Sequence, residues 1–415
     1  MLTVLHNAAQ LVGVTPPGVS CQRGDRMRSP GIVTDGSLLI RDGIIEWVGP
    51  TAEMPSVERH EATWIDASGK VVLPGFIDSH THLLFAGSRV EEFEQRLRGL
   101  SYQEITARGG GIASTVRRVR QASKEQLKEL ARPRLRRLLR LGVTTVEVKS
   151  GYGLTPADEI KCLEAIAELN AEGPWELVPT FLGAHAVPPE YRDDRAGYIR
   201  SLCDEMLPEV ARQRLAEFCD VFCETGVFSV EESRQILKRA RDLGLRLKLH
   251  ADELSPLGGA ELAAEVGAVS ADHLLCITDR GIDALAQSET VATLLPGTAF
   301  FLGLDYAPAR RLIEHGVAVA PATDCNPGTC MTENLPLVGT MACTQMGMLP
   351  GEVVTALTLN AAAALGRGDR IGSLTAGKQG DVIVCNISDY RELFYHFGIN
   401  HVECVVKRGR VVEPA

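Results

Sequence analysis

The chain has 415 residues, of which 45% are hydrophobic and 23% charged, with a formal net charge of −10. That composition is globular, and the acidic balance gives no reason to expect nucleic acid or an anionic membrane as partner. The length exceeds one typical domain and accommodates a barrel of about 250 residues with an appended domain.

In chain order, the first readable feature is "SLLIRDGIIEWVG", Ser37 to Gly49, two β-branched runs around Asp42-Gly43 that signal a hairpin. The C-terminal end repeats the pattern in "GDVIVCNIS" and "VECVVKRGRVVE", with a turn around Lys407 to Gly409. No long helical pattern precedes residue 72 or follows residue 371. The two ends therefore predict one small β-domain, residues 1–73 and 366–415, flanking a central insertion at 74–365. Within that insertion, apolar segments alternate with helical patterns: "VVLPGFIDSH", "VTTVEVK", "ELVPTFLGAH", "CDVFCET", "LRLKLH", "AVSADH", "VATLLP" and "VAVAPATD". Thr155-Pro156 reads as the start of one helix and Gly173 as its end. Ser229 with Glu232 forms a capping box opening another, closed by Gly244. Eight strand–helix alternations argue for a (β/α)8 barrel of the TIM type. An open doubly wound sheet is weaker, because no G-x-G-x-x-G follows the first strand.

The basic run "RPRLRRLLRLG" from Arg132 is threaded with leucines and reads as a solvated helix face. The eleven cysteines are scattered without a C-x-x-C pair, and several sit in apolar segments where a free thiol behaves as a small hydrophobe. With no run of about 18 apolar residues and no signal-like start, the expectation is a reduced, cytoplasmic protein that does not enter a membrane.

Barrel enzymes carry their chemistry at the C-terminal ends of the strands. Here polar residues fall at those ends repeatedly: His80 and His82, Lys149, His185, Glu224, His250 followed by Glu253, His273, and Asp324. Taken singly, each has a structural explanation. A lone strand-end histidine is more often hydrogen-bonded than ligating, Asp324 could form the turn before Pro327-Gly328, and Glu253 could cap a helix. Jointly the pattern is harder to dismiss, since five of the ten histidines occupy strand ends. His80 and His82 share a face, so both can meet one ion. Three imidazoles and a carboxylate suit Zn²⁺, and iron accepts the same donors. Glu253 and His273 would then handle protons.

"PGFIDSHTH" resembles the amidohydrolase superfamily, whose members share a metal-bearing barrel and a small β-sandwich. The segments "FAGSRVEEFEQRLRGLSYQEITARGGGIASTV", "VEVKSGYGL", "FLGAHAVPPEY", "HADE", "GAVSADHL" and "ATDCNPGT" narrow the resemblance to the imidazolonepropionases, enzymes of histidine degradation. It spans about Pro74 to Asn360. The resemblance implies hydrolysis of the ring amide of 4-imidazolone-5-propanoate to N-formimidoyl-L-glutamate by a homodimer with one Zn²⁺ or Fe³⁺ per subunit. It implies His80, His82, His250 and Asp324 as metal ligands. Arg89 would bind the propanoate, Tyr152, His185 and Glu253 the ring, and Asn326, Gly328 and Thr329 the carboxylate released by ring opening. A metal-activated water would attack the carbonyl, with Asp324 or His273 taking its proton. Where many superfamily members place a carboxylated lysine on strand 4, this chain has Glu224, which favours one ion. Lys149 is expected to position the Tyr152 loop, and the Cys325 thiol to point away from Asp324. The alternatives are another cyclic amidase or deaminase of the superfamily, or a non-catalytic relative, which would be expected to lose ligands that are all present here.

Overall fold

In the computed structural model, which describes residues 1–100, 104 and 109–414, two eight-stranded sheets organise the chain. The remainder of the "SYQEITAR" motif, residues 101–103 and 105–108, lies outside the described residues.

The first sheet is built by both ends of the chain. Strand β1 (Leu2–Val12) runs antiparallel to β2 (Ile32–Arg41), which turns at Asp42-Gly43 into β3 (Ile44–Pro50). Asp42 and Gly43 both take positive φ (51° and 85°), the conformation a two-residue hairpin turn needs to match strand twist. At the other end, β14 (Val382–Cys385), β15 (Val402–Lys407) and β16 (Arg410–Pro414) form a meander. Its Arg408-Gly409 turn has the same geometry (φ 48° and 73°). Strands β4 (Ala62–Asp66) and β5 (Val71–Pro74) pair with successive halves of β1, and β5 also receives β14. The expected sandwich is thus one continuous hydrogen-bonded sheet. A bulge between Leu5 and Ala8, with Asn7 at φ 61°, separates the two halves of β1 and lets the sheet bend. Leu5, Leu11, Leu38, Ile40, Val72 and Val406 fill its core.

The second sheet is the barrel wall. Its strands lie side by side in chain order and all are parallel: β6 (Phe76–Asp78), β7 (Val143–Lys149), β8 (Glu176–Ala184), β9 (Phe218–Cys223), β10 (Arg246–Ala251), β11 (Ser270–His273), β12 (Val291–Leu294) and β13 (Val319–Pro321). The first and last strands meet at their C-terminal ends. There Thr81 bridges Cys325, Asp324 N donates to His80 O (3.0 Å) and His82 N to Cys325 O (3.1 Å). The seam that closes the barrel therefore carries three of the expected ligands.

One expected strand is two. "VVLPGFIDSH" divides at Gly75: Val71–Pro74 belongs to the terminal sheet and only Phe76–Asp78 to the barrel. A Cβ at Gly75 would lie 2.4 Å from Thr144 Oγ1, so the crossing needs glycine.

Helices start and stop where their caps predict. Thr155 accepts from Asp158 N (3.2 Å) ahead of Pro156–Glu172, and the Ser229–Glu232 box opens Val230–Asp242. In Lys124–Arg140, Leu135, Leu138 and Leu139 face inward, as the pattern implies, but Leu130 is exposed and two basic side chains, Lys128 and Arg134, are buried. Arg134 is buried, stacks 3.4 Å from the Phe85 ring centroid and donates to the carbonyls of Leu83 and Phe85. It thereby fixes the chain between His82 and Arg89. All eleven cysteines are free thiols, and among the described residues no helix is long and apolar enough to cross a membrane.

Candidate metal centre and substrate cavity

Strand pleating aims four groups at one point. His80 and His82 leave the end of β6, His250 stands in β10, and Asp324 follows β13 in the left-handed region (φ 52°). The ligand atoms of the three histidines lie within 4.8 Å of one another, and all three side chains are buried. His82 Nε2 and His250 Nε2 face each other at 3.2 Å. Asp324 Oδ1 is 3.6 Å from both His80 Nε2 and His82 Nε2.

The far side of the cluster settles its charge. His80 Nδ1 bonds Asp272 Oδ2 (2.6 Å), and His250 Nδ1 lies 3.0 Å from Asp220 Oδ2. A carboxylate on Nδ1 fixes the proton there and turns the Nε2 lone pair inward. Thr298 Oγ1 donates to Asp324 Oδ2 (2.6 Å), leaving Oδ1 free. His80 Nε2 and Asp324 Oδ1 are buried and have no hydrogen-bond partner. Burial, then the neighbouring positive groups, holds the pKa of His80 well below its usual value, and burial and the surrounding histidines do the same to His82. Inward-facing lone pairs beside an unsatisfied carboxylate oxygen fit a cation and little else. The cluster is a candidate metal site, with His80, His82 and His250 placed so that they could hold one ion.

Behind it sits a buried ionic hub. Lys149 Nζ is 2.7 Å from both Glu147 Oε1 and Asp220 Oδ2 and 3.7 Å from Asp272 Oδ2, and none of these side chains is exposed to solvent. The expectation that Lys149 positions the Tyr152 loop is therefore corrected: it pairs with the carboxylates that contact the Nδ1 atoms of His80 and His250. Asp220, Asp272 and Glu147 were missed from sequence, although each is a charge inside a buried barrel strand. The backbone of Cys325 belongs to the seam, but its thiol is not among the converging ligand atoms: it is buried with Asp78, Cys330 and Arg134 in its surroundings, and burial pushes its pKa up.

Above the histidines opens a cavity of about 390 Å³, lined by Arg89, Tyr152, His185, Glu253, His273, Asn326 and Thr329 among others. His273 Nε2 lies 3.6 Å from Glu253 Oε2, and neither ring nitrogen of His273 has a hydrogen-bond partner. Burial, and next Asp324, pushes Glu253 up to about 8, so it is protonated at neutral pH. Glu224 does not approach the metal ligands. It accepts from Leu254 N (2.8 Å), Ser255 N (3.3 Å) and Ser255 Oγ, and so holds the loop that carries Glu253. His185 stacks on His82 (centroids 4.9 Å apart) and bonds Gly151 O through Nδ1 (2.9 Å).

The Asn326–Thr329 loop is held from inside. Asn326 Oδ1 accepts from Gly328 N and Thr329 N (2.8 Å each) and its Nδ2 donates to Asp324 O (2.8 Å). Asn326 and Thr329 face the cavity, while Gly328 lies behind Arg89. A Cβ on Gly328 would stand 2.0 Å from Arg89 Nη1. The Gly328→Ala substitution should displace that guanidinium rather than the backbone. Steady-state kinetics should then show KM raised about tenfold with kcat little changed; an unaltered KM would mean that Arg89 does not hold substrate.

A parallel barrel with a histidine–aspartate centre at its C-terminal mouth is the architecture of metal-dependent hydrolases. A family model described as "Amidohydrolase family" matches residues 71–412. Two solved structures share the fold, each at 18% identity. E. coli guanine deaminase has a TM-score of 0.74 with both chains fully covered. An adenosine deaminase from Xanthomonas campestris with bound zinc has 0.70, over 99% of this chain and 92% of its own. Much nearer in sequence are curated imidazolonepropionases. That of Porphyromonas gingivalis (strain W83) is 50% identical over 98% of this chain and 96% of its own. That of Geobacillus thermodenitrificans is 51% identical over 98% and 97%. The chain belongs to the imidazolonepropionases of the amidohydrolase family.

Proposed function

We infer that the chain hydrolyses the ring amide of 4-imidazolone-5-propanoate to N-formimidoyl-L-glutamate, a step of histidine degradation. The observation that carries this reading is a metal centre opening into a cavity that also holds Arg89, a permanently charged fork donor suited to a carboxylate.

His80, His82, His250 and Asp324 would hold one Zn²⁺ or Fe³⁺ per subunit. When bound, such an ion supplies Lewis acidity and brings the pKa of a coordinated water towards neutrality. The protein's own groups do the rest. Arg89 holds the propanoate, while Tyr152 and His185 flank the ring. Hydrolysis forms a C–O bond at the ring carbonyl and breaks the C–N bond. His273, neutral because burial holds its pKa well down, has a free nitrogen to accept the water's proton, and Asp324 Oδ1 is the other acceptor in reach. Glu253, protonated below about 8, can deliver a proton to the departing ring nitrogen. Asn326 and Thr329 would receive the new carboxylate, with Gly328, expected beside them, instead set behind Arg89 where it lets the guanidinium pack against the loop. The chain is taken to work in the cytoplasm as a homodimer on this small molecule, an assembly that sedimentation can check.

The decisive experiment assays imidazolonepropanoate hydrolysis and measures metal in the same sample. Turnover with about one ion per subunit is expected. Deamination of guanine or cytosine with no action on imidazolonepropanoate would overturn the reading, because a neutral base has no use for Arg89. If Glu253 is the acid, kcat/KM should fall as pH rises through about 8, since deprotonation removes the donated proton. A Glu253→Gln variant, slower throughout, should lose that limb. A limb unchanged in the variant would assign the titration elsewhere.

A further inference from the structure

Helix α1 (Val90–Leu97) follows Arg89 and sets Arg89, Glu92 and Arg96 along one face at the cavity wall. The Arg89 guanidinium is not idle there. Its Nε and Nη2 lie 2.9 and 2.8 Å from Glu92 Oε2, and Glu92 Oε1 accepts from Gly111 N (3.1 Å). Both side chains are largely buried, so Arg89 and Glu92 form a locally neutral pair with one edge of the fork already used. A carboxylate meeting only this pair would gain little net attraction and would compete with Glu92 for donors.

The missing charge is one turn along the helix. Arg96 donates Nη2 to the Gly328 carbonyl (3.0 Å), and its guanidinium lies 5.0 Å from the Phe301 ring centroid. Among the described residues no carboxylate pairs with it. The other acids facing the cavity are Glu253, which sits 3.6 Å from His273 Nε2, and Asp324, which sits 3.6 Å from His80 and His82; neither pairs with Arg96. Burial and the nearby Arg89 lower the Arg96 pKa from its ordinary value, in keeping with two cations held close together.

We propose that Arg96 is a specificity-determining residue: it supplies the net positive charge of the propanoate site, and with Arg89 makes a two-guanidinium clamp whose first member is already balanced by Glu92. The assignment rests on the substrate reading above. It also explains why Arg96 is tied to Gly328: the bond fixes the second guanidinium beside the first, at the edge of the Asn326–Thr329 loop.

The test compares the parent with Arg96→Gln, using 4-imidazolone-5-propanoate, its neutral propanamide analogue, and calorimetric binding of N-formimidoyl-L-glutamate. The variant should raise KM for the carboxylate substrate, and weaken product binding, by about tenfold or more, with kcat within about threefold. The parent's preference for carboxylate over amide should collapse, and Arg96→Lys should restore part of it. If Arg96 served only to hold the Gly328 carbonyl, kcat would fall and both substrates would suffer alike, and the proposal would be wrong. Unchanged KM and product affinity would overturn it equally. A parent that binds the product without turning over substrate would defeat the activity reading, while calorimetry would still judge Arg96.

Discussion

Replacing His250 with alanine is expected to abolish both metal binding and turnover while leaving the fold in place. Its Nε2 is one of the three nitrogens converging on the site, 3.2 Å from that of His82. Without it, two histidines and Asp324 remain, too few donors for a tight four-coordinate site. Changes to groups that merely orient a ligand typically cost 10–100-fold in metal affinity or activity, roughly speaking, and loss of a ligand should exceed that. The fold should survive because Asp220, which loses its imidazole partner, still bonds Lys149 Nζ at 2.7 Å and the backbone N of residue 250 at 3.1 Å. Elemental analysis should fall from about one ion per subunit to near none, with circular dichroism unchanged. Cys325→Ser, buried but away from the cluster, should keep its metal. Activity retained by metal-free His250→Ala protein would sink the scheme.

The candidate ligands were legible because strand-end position is a local property: an apolar run, then a histidine, repeated around a barrel. What orients them was not. His80 and Asp272 are 192 residues apart, and Lys149 and Asp220 are 71 apart. Asp220, Lys248 and Asp272 do interrupt apolar strands, but nothing local says which charge meets which. Lys149 illustrates the difficulty. Chain proximity linked it to Tyr152, yet the pleat places it on the same face as Glu147, two residues back, and points both into the barrel. The first strand failed for a related reason. "VVLPGFI" is uniformly apolar because both sheets bury it, so periodicity cannot reveal that Gly75 hands the chain from one sheet to the other. Glu92 and Arg96 lie in one of the segments that carry the resemblance, but nothing local shows which face of that helix meets the cavity, and only the fold turns these two towards it.

The Lys149→Met variant should be destabilised in proportion to pH, and this is the sharper test of the hub. Removing the ammonium leaves Glu147, Asp220 and Asp272 buried with Lys248 as the remaining cation, 3.9 Å from Glu147. Breaking a buried ion pair by deleting one partner costs about 3–5 kcal/mol. In the parent, burial pushes Asp220 up, but His250 and Lys149 outweigh it and hold the pKa well below the usual range. Without Lys149 that balance tips for Asp220, whose folded-state pKa rises above its unfolded value of about 4, and Asp272, which burial already holds up, loses a compensating cation. The folded variant then binds more protons than its unfolded chain, so its stability falls as pH rises and recovers towards acid. Denaturation midpoints should separate parent and variant most at about pH 8 and converge towards about pH 5, where protonation quenches the buried charge. The same protonation weakens the grip of Asp220 on His250, so metal affinity at neutral pH should drop about 10–100-fold. A variant as stable as the parent at pH 8, with undiminished metal affinity, would show that the three carboxylates do not depend on Lys149 and that the hub does not set the histidines.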